Sequence, residues 1–202
     1  APVLILWMLS PFAAWWISLP RIAEKVDFNS DQQIVLQKLT RKIWAFFEDF
    51  VTVEDNWLPP DNYQEEPVSR VAHRTSPTNI GLSLLANLTA FDFGYITTSQ
   101  LVEYTTNTIS TMQGLERYKG HFYNWYDTVN LTPLNPRYIS TVDSGNLAGH
   151  LLTLKQGLLT VRDHKIFSVR AFEGLLDTIR VLKESTDQLT SLDQLEKDIE
   201  II

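Results

Sequence analysis

The chain has no cysteine, which excludes a disulfide framework and thiolate chemistry. Its four histidines and scattered carboxylates show no H-E-x-x-H or comparable metal-ligand spacing. There is no Gly-rich phosphate loop and no G-x-S-x-G elbow. Basic residues are the minority, 17 Lys and Arg against 24 Asp and Glu, for a net charge of -7. That balance argues against nucleic acid as a main partner. Charge is missing altogether from residues 1–20, APVLILWMLSPFAAWWISLP. This stretch is about long enough to cross a bilayer, with Trp15 and Trp16 near one end and Arg21 and Lys25 as a flank. It lacks the basic start and small-residue cleavage site of a signal peptide, so none is expected here. The expectation is a transmembrane helix over 1–20, or the tail of a multi-span region, with a buried soluble helix kinked at Pro11 as the alternative. A first residue of Ala1 rather than Met is read as the mark of a longer parent.

Aromatic residues are plentiful: six Trp, seven Tyr and ten Phe among 202 residues. Several fall in two long irregular stretches, and helical patterns separate them. Asn29 or Ser30 caps a helix with Asp31 in its first turn, and Leu36, Leu39, Ile43, Phe46, Phe47 and Phe50 form its apolar face. Ser76-Pro77 reads as an N-cap followed by a first-turn proline. Ile80, Leu84, Leu88 and Phe91 make the next stripe, with Gly81 permitting close packing. Gly94 stands where that helix ends, and Thr97 with Gln100 forms a capping box for Leu101, Thr105, Ile109 and Met112. Ser140 or Thr141 caps a helix lined by Leu147, Leu151, Leu154 and Leu158, and Gly145 and Gly149 leave one face bare for a neighbour. A link through Asp163-His164 leads to a helix with Val169, Phe172, Leu176 and Ile179 on one side, and an acidic helix runs over 188–202.

The two irregular stretches, 54–80 and 114–140, carry the chemistry. Four prolines break the first, which still holds Trp57, Tyr63, Asp55, Asp61, Glu65, Arg70, His73 and Arg74. The second holds His121, Tyr123, Asn124, Trp125, Asp127, Arg137 and Tyr138. Aromatics mixed with carboxylates, amides and guanidiniums suit a sugar, which has apolar C–H faces and a belt of hydroxyls. Trp57 serves as a platform or as a plug, and Asp61 with Asn62 as a hydroxyl fork or an Asx turn. Arg70, His73 and Arg74 hold glycan, or order the loop by pairing with Glu65 and Glu66; for His73 a structural hydrogen bond is the simpler role. Asp127 and Asp143 are the best polar contacts, but Asp143 sits in a helix first turn, which favours its ionised form. No pair of carboxyl groups fit for glycosidic chemistry stands out. Loop lengths alternate long, short, long, short. In stacked antiparallel hairpins that order puts both long loops at one end, the geometry of an α/α toroid with its site at one rim. The helices suffice for only part of such a barrel.

Four runs, NWLPPDNYQEEP, VAHRTSPTNIGLSLL, GHFYNWYDT and ISTVDSGNLAGHL, resemble the middle, glucoamylase-like region of cyclic β-1,2-glucan synthases, over a match from about Ile43 to Leu159. LWMLSPFAAWWISLP resembles the membrane span that precedes that region. The resemblance implies an all-α (α/α)6 toroid, incomplete here, with residues 1–20 as the membrane helix or its tail and 21–202 as the N-terminal half of the toroid domain. It implies a bacterial inner-membrane protein whose middle part faces the cytoplasm and closes linear β-1,2-glucan into a ring by retaining transglycosylation. UDP-glucose and a divalent metal are implied for the glucosyltransferase part of such a protein, and no cofactor for this stretch. The implied partners are β-1,2-glucan, the remaining hairpins and domains, and the membrane through residues 1–20. Trp57, Asp61, Asn62, His73, Arg74, Tyr123, Asn124, Trp125, Asp127 and Asp143 fall in the family motifs that line the rim; the catalytic glutamates are expected beyond Ile202. Two other readings remain: a membrane-tethered helical scaffold, and a free-standing glycoside hydrolase using Asp127 and Asp143.

Overall fold

The computed structural model describes residues 2–19, 27–162, 169–185 and 189–200. Two compact units divide the chain, Ala1–Gln33 and Ile34–Ile202. The described residues form seven α-helices: α1 (Pro2–Ile17), α2 (Ser30–Phe50), α3 (Pro77–Asp92), α4 (Thr98–Gly114), α5 (Thr141–Val161), α6 (Arg170–Ser185) and α7 (Leu189–Glu200). A 3-10 turn, Val53–Asp55, follows α2. Arg21, Lys25, Asp163, His164 and Gln188, named in the sequence reading, lie outside the described residues.

Within residues 1–20 the structure describes one helix, α1. α1 has 16 residues, about 24 Å at 1.5 Å per residue, against a hydrocarbon core of about 30 Å. Among the described residues no helix is long and apolar enough to cross a membrane. The side chains from Val3 to Leu19 are exposed.

Capping follows local chemistry. Asn29 and Gln32 exchange backbone and side-chain hydrogen bonds at the start of α2. Ser76 Oγ accepts from Asn79 N ahead of Pro77, Thr97 and Gln100 form a reciprocal box, and Ser140 Oγ accepts from Asp143 N. α3 packs on α4 and α5. Leu58, Ile80, Leu84, Met112, Leu115, Tyr126, Leu147 and Leu154 form the larger core cluster; Trp44, Ala90, Ile96 and Leu101 form a second. Emptying one of these sites, as in Leu84→Ala, costs about 2–5 kcal/mol.

Two faces differ from the helical pattern. On α2, Leu36, Leu39 and Ile43 stay exposed while Trp44 is buried. The helix turns a partly polar stripe toward α6, where Lys38 and Lys42 both reach Glu184 and Arg41 Nε donates to Thr178 Oγ1. On α5, Gly145 and Gly149 face open space, whereas a Cβ on Gly81 of α3 would meet the His150 ring at 2.4 Å. Close packing thus falls at Gly81 and, on α5, at Gly157 against Leu88, and not at Gly145 or Gly149. Gly94 (φ 73°) ends the α3 segment against the first turn of α6, where Gly174 admits the Gly94 carbonyl.

No strand was expected, yet the described part of the long loops holds six two-residue strands. β1 (Tyr63–Gln64) pairs with β2 (Arg70–Val71), and β4 (Arg117–Tyr118) with β5 (His121–Phe122). β3 (Arg74–Thr75) pairs with β6 (Tyr126–Asp127), Arg74 opposite Asp127 and Thr75 opposite Tyr126. Two residues are too few to show a period of two, so these ladders leave no trace in the hydrophobic pattern. The β3–β6 ladder ties the two long loops to each other.

Candidate functional site

The first loop leaves α2 through a backbone that most residues avoid. Asn56 (φ 52°) and Trp57 (φ 61°) are both left-handed, which costs about 1–2 kcal/mol per residue for side chains other than glycine. Such a conformation persists where its surroundings over-determine it. Here α4 supplies two hydroxyl donors: Thr111 Oγ1 to Asn56 O at 2.7 Å and Thr108 Oγ1 to Trp57 O at 2.9 Å. Asn56 Nδ2 donates to the carbonyls of Thr128 and Val129 in the second loop, at 2.8 and 3.0 Å.

This turn buries Asp55 at 5% exposure. Its Oδ1 accepts the Thr128 hydroxyl hydrogen and lies 2.8 Å from His73 Nδ1. Thr128 N also donates to His73 O at 3.2 Å. Three segments therefore meet on one carboxylate. His73 makes the structural bond read as its simpler role, but to Asp55 and not to the glutamates.

Arg74 points along a second chain of contacts. Its Nε and Nη2 both donate to Asp61 Oδ2, at 3.1 and 2.8 Å. Glu65 and Glu66 are not its partners. Asp61 also takes Asn79 Nδ2 on Oδ1 and Asn62 Nδ2 on Oδ2. The Arg74 guanidinium stands 4.9 Å from the Trp125 ring centroid. The Asn124 amide, buried at 6%, accepts from Trp125 Nε1 at 3.1 Å and from the Tyr138 hydroxyl at 2.7 Å, and donates to Asp143 Oδ2 at 2.8 Å. Asp61, Asn62, Arg74, Trp125, Asn124 and Asp143 thus form one connected seam across both loops.

The remaining candidates sit elsewhere. Tyr123 carries Arg137 over its ring at 5.7 Å, and its N–H donates to the buried Tyr126 hydroxyl, which donates to Glu116 O. Burial pushes that hydroxyl above its ordinary pKa. Asp127 Oδ1 accepts from the backbone N–H groups of Val129 and Asn130 and closes a turn. Trp57 stacks on Tyr104, 6.0 Å between centroids, and lines a separate cavity of about 420 Å³ beside Trp44 and Phe47. Sequence reasoning named Asp55 in the first loop without a role and left Thr128 out; neither residue carries a local signal of their pairing.

An open groove of about 860 Å³ lies along the first loop, lined by Asn62, Gln64, Ser69, Arg70, His73 and Arg74, among others. Its wall is rich in hydrogen-bond donors, and the side chains of His73 and Arg74 are each about half exposed, 50% and 51%. Such a wall can hold hydroxyl or carboxylate oxygens. Among the described residues no group of three or more His, Asp or Glu is placed to hold a metal ion.

The chain is 40% identical over 190 residues to the cyclic beta-(1,2)-glucan synthase NdvB of Rhizobium meliloti (strain 1021), a match over 93% of this chain. This chain is related to the cyclic β-(1,2)-glucan synthases. The resemblance read in its motifs is borne out, and the chain spans 7% of the length of that synthase. No family model matches. Among solved structures, a protein assigned as a glucoamylase from Bacteroides fragilis NCTC 9343 aligns with a TM-score of 0.50 at 14% identity, over 65% of this chain and 32% of its own. A second, from Bacteroides caccae ATCC 43185, aligns with a TM-score of 0.48 at 16% identity, over 84% of this chain and 36% of its own. The first of these alignments shows a shared helical fold over 65% of this chain.

Proposed function

We propose that this chain binds and positions linear β-1,2-glucan for ring closure by retaining transglycosylation, within a longer synthase whose catalytic carboxylates lie on other segments. The observation that carries the reading is the donor-lined groove along the first loop, in a chain related to a cyclic β-(1,2)-glucan synthase. Hydroxyl oxygens accept from Arg74, Arg70 and Asn62, and the Asp61–Arg74–Trp125 seam keeps Arg74 in place. Arg74 covers one face of Trp125, so recognition here is by hydrogen bonds more than by ring stacking. In this reading the helices are part of an α/α toroid, α1 is the tail of a membrane region, and the segment faces the cytoplasm of a bacterium. The nucleotide sugar and its divalent metal belong to other parts of the longer polypeptide, and no step is assigned to them here.

The test is a titration of the folded protein with linear β-1,2-glucan, followed by tryptophan fluorescence, with β-1,3-glucan as the control. Saturable binding of the β-1,2 polymer alone, weakened about tenfold in Arg74→Ala, is the expected result. Equal affinity for both polymers, or an Arg74→Ala variant that binds as tightly as the parent, overturns it.

A second reading has one observation in its favour. Trp57 packs on Tyr104 of α4 and not into the groove, as a helical scaffold element does. Under this reading Trp57→Ala lowers stability and leaves glucan affinity unchanged. For a free-standing hydrolase the structure offers no such support, since Asp127 closes a turn and Asp143 holds Asn124.

A further inference from the structure

We propose that Asp55 and His73 act as a fixed dyad, in which the carboxylate holds the imidazole by its Nδ1–H and so commits Nε2 to accept a hydroxyl hydrogen from a neutral sugar in the groove. The proposal rests on the glucan reading above and adds a named contact and the residue that orients it.

A carboxylate accepts hydrogen bonds and has none to give. Asp55 Oδ1 already takes the Thr128 hydroxyl hydrogen. The ring nitrogen 2.8 Å away must then be the one that carries hydrogen. In a neutral imidazole the other nitrogen is left with a lone pair. Nε2 has no partner among the described residues, and the side chain is half exposed on the groove wall. Thr128 fixes the backbone as well, donating its N–H to His73 O, so the ring has little freedom to turn. Asp55 is thus a positioning residue; His73 is the group that touches the ligand.

The composition of the wall says what kind of ligand this suits. Arg70 and Arg74 are donors, Asn62 offers a donor and an acceptor, and Nε2 of the neutral His73 ring adds an acceptor beside them. A hydroxyl needs one of each, because its oxygen accepts while its hydrogen donates. An anion needs donors only, and a lone pair repels it. Arg74 is moreover already paired with Asp61. A neutral polyol fits this set better than a phosphate or a carboxylate does.

The test has two independent parts. The first is the nitrogen-15 spectrum of the imidazoles in the full 202-residue chain, at an alkaline pH where they are neutral, with the His73 signal assigned by its loss in His73→Gln. The Nδ1–H tautomer is expected, and a dominant Nε2–H tautomer overturns the dyad. The second is glucan titration of two variants whose fold is checked by circular dichroism. Asparagine places its amide where Nδ1 stands, keeping the Asp55 bond but losing the reach of Nε2. Glutamine carries its amide to the place of Nε2. His73→Asn is expected to bind linear β-1,2-glucan about tenfold more weakly, and His73→Gln within about threefold of the parent. A purely structural His73 gives the reverse order, which overturns the ligand role. Should the parent show the Nδ1–H tautomer but bind inorganic phosphate and no glucan, the neutral-sugar ligand is overturned together with the glucan reading, while the dyad geometry stands.

Discussion

Arg74 and Trp125 meet across the seam between the two loops, with the guanidinium carbon 4.9 Å from the ring centroid, while the backbone of Arg74 pairs with Asp127. One residue thus joins the loops through both its main chain and its side chain. Lysine keeps the charge but has neither the planar face nor the two nitrogens that grip Asp61. Arg74→Lys is expected to destabilise by about 1 kcal/mol, seen as a lower urea midpoint. An unchanged midpoint means that the seam contributes nothing to stability.

The left-handed turn at Asn56 and Trp57 depends on two hydroxyls of α4. Valine matches threonine in shape but cannot donate. Thr111→Val and Thr108→Val each leave a carbonyl without its partner, at an expected cost of about 1–3 kcal/mol. Urea unfolding measures the loss, and hydrogen exchange locates it if the Trp57 amide, bonded to Thr52 O, loses protection in both variants.

Glycines at two helix positions should respond with opposite signs. A Cβ on Gly174 would come within 2.5 Å of the Gly94 carbonyl oxygen, whereas one on Gly145 meets nothing within 4 Å. Gly174→Ala is expected to lower stability by about 1–3 kcal/mol. Gly145→Ala should raise it by about 0.5–1 kcal/mol, as alanine restricts the unfolded chain. Melting of the two variants side by side checks both signs; a destabilised Gly145→Ala would reveal a neighbour packed on that face of α5.

Two carboxyl groups of α6 predict opposite responses to pH. Burial raises the pKa of Asp177, against the favourable effects of the Tyr95 hydroxyl, which donates to it at 3.0 Å, and of Arg180. A raised folded-state pKa gives stability that is present below the unfolded value and lost as pH rises through the folded one. Asp177→Asn should therefore raise the melting temperature at neutral pH and change it little in acid. Glu184 is held down to about 2 by hydrogen bonds from Lys38 and Lys42. Its contribution is present above the ordinary value of 4.5 and lost as pH falls toward 2. Glu184→Gln should lower stability at neutral pH, and the gap from the parent should close in acid. Melting curves from acid to neutral pH test both signs.

Much of the helical frame was legible because its signals are local. Ser76 with Pro77, Thr97 with Gln100, and Ser140 each act within one turn of the residue they cap. The apolar stripes of α3, α4 and α5 repeat over several turns and are legible, while the buried polar positions Ser83, Asn87 and Thr108 are not. α2 misled because Leu36, Leu39 and Ile43 keep the right spacing, yet ion pairing to α6 goes with the adjacent face. At the candidate site, the loop residues were visible as a mixture of types, while their partners were not. Asp55 meets Thr128 across 73 positions, and Asn56 meets Val129 across the same separation. No periodicity links such pairs; only the folded helices bring them together. The left-handed Asn56 and Trp57 were equally silent, since neither is glycine and the hydroxyls that hold them come from a helix about 50 residues later.

The β3–β6 ladder has a further consequence for anyone who would rebuild this surface. Each strand supplies the other's backbone partners, and the Asp55 carboxylate is shared between a ring from one loop and a hydroxyl from the other. Neither loop is a complete module. Grafting the first onto another helical scaffold strands Asp55 without Thr128 and Arg74 without Trp125, and grafting the second leaves Asn124 and Trp125 without the strand that aligns them. The transplantable unit is the pair, together with the two threonines of α4 that brace it.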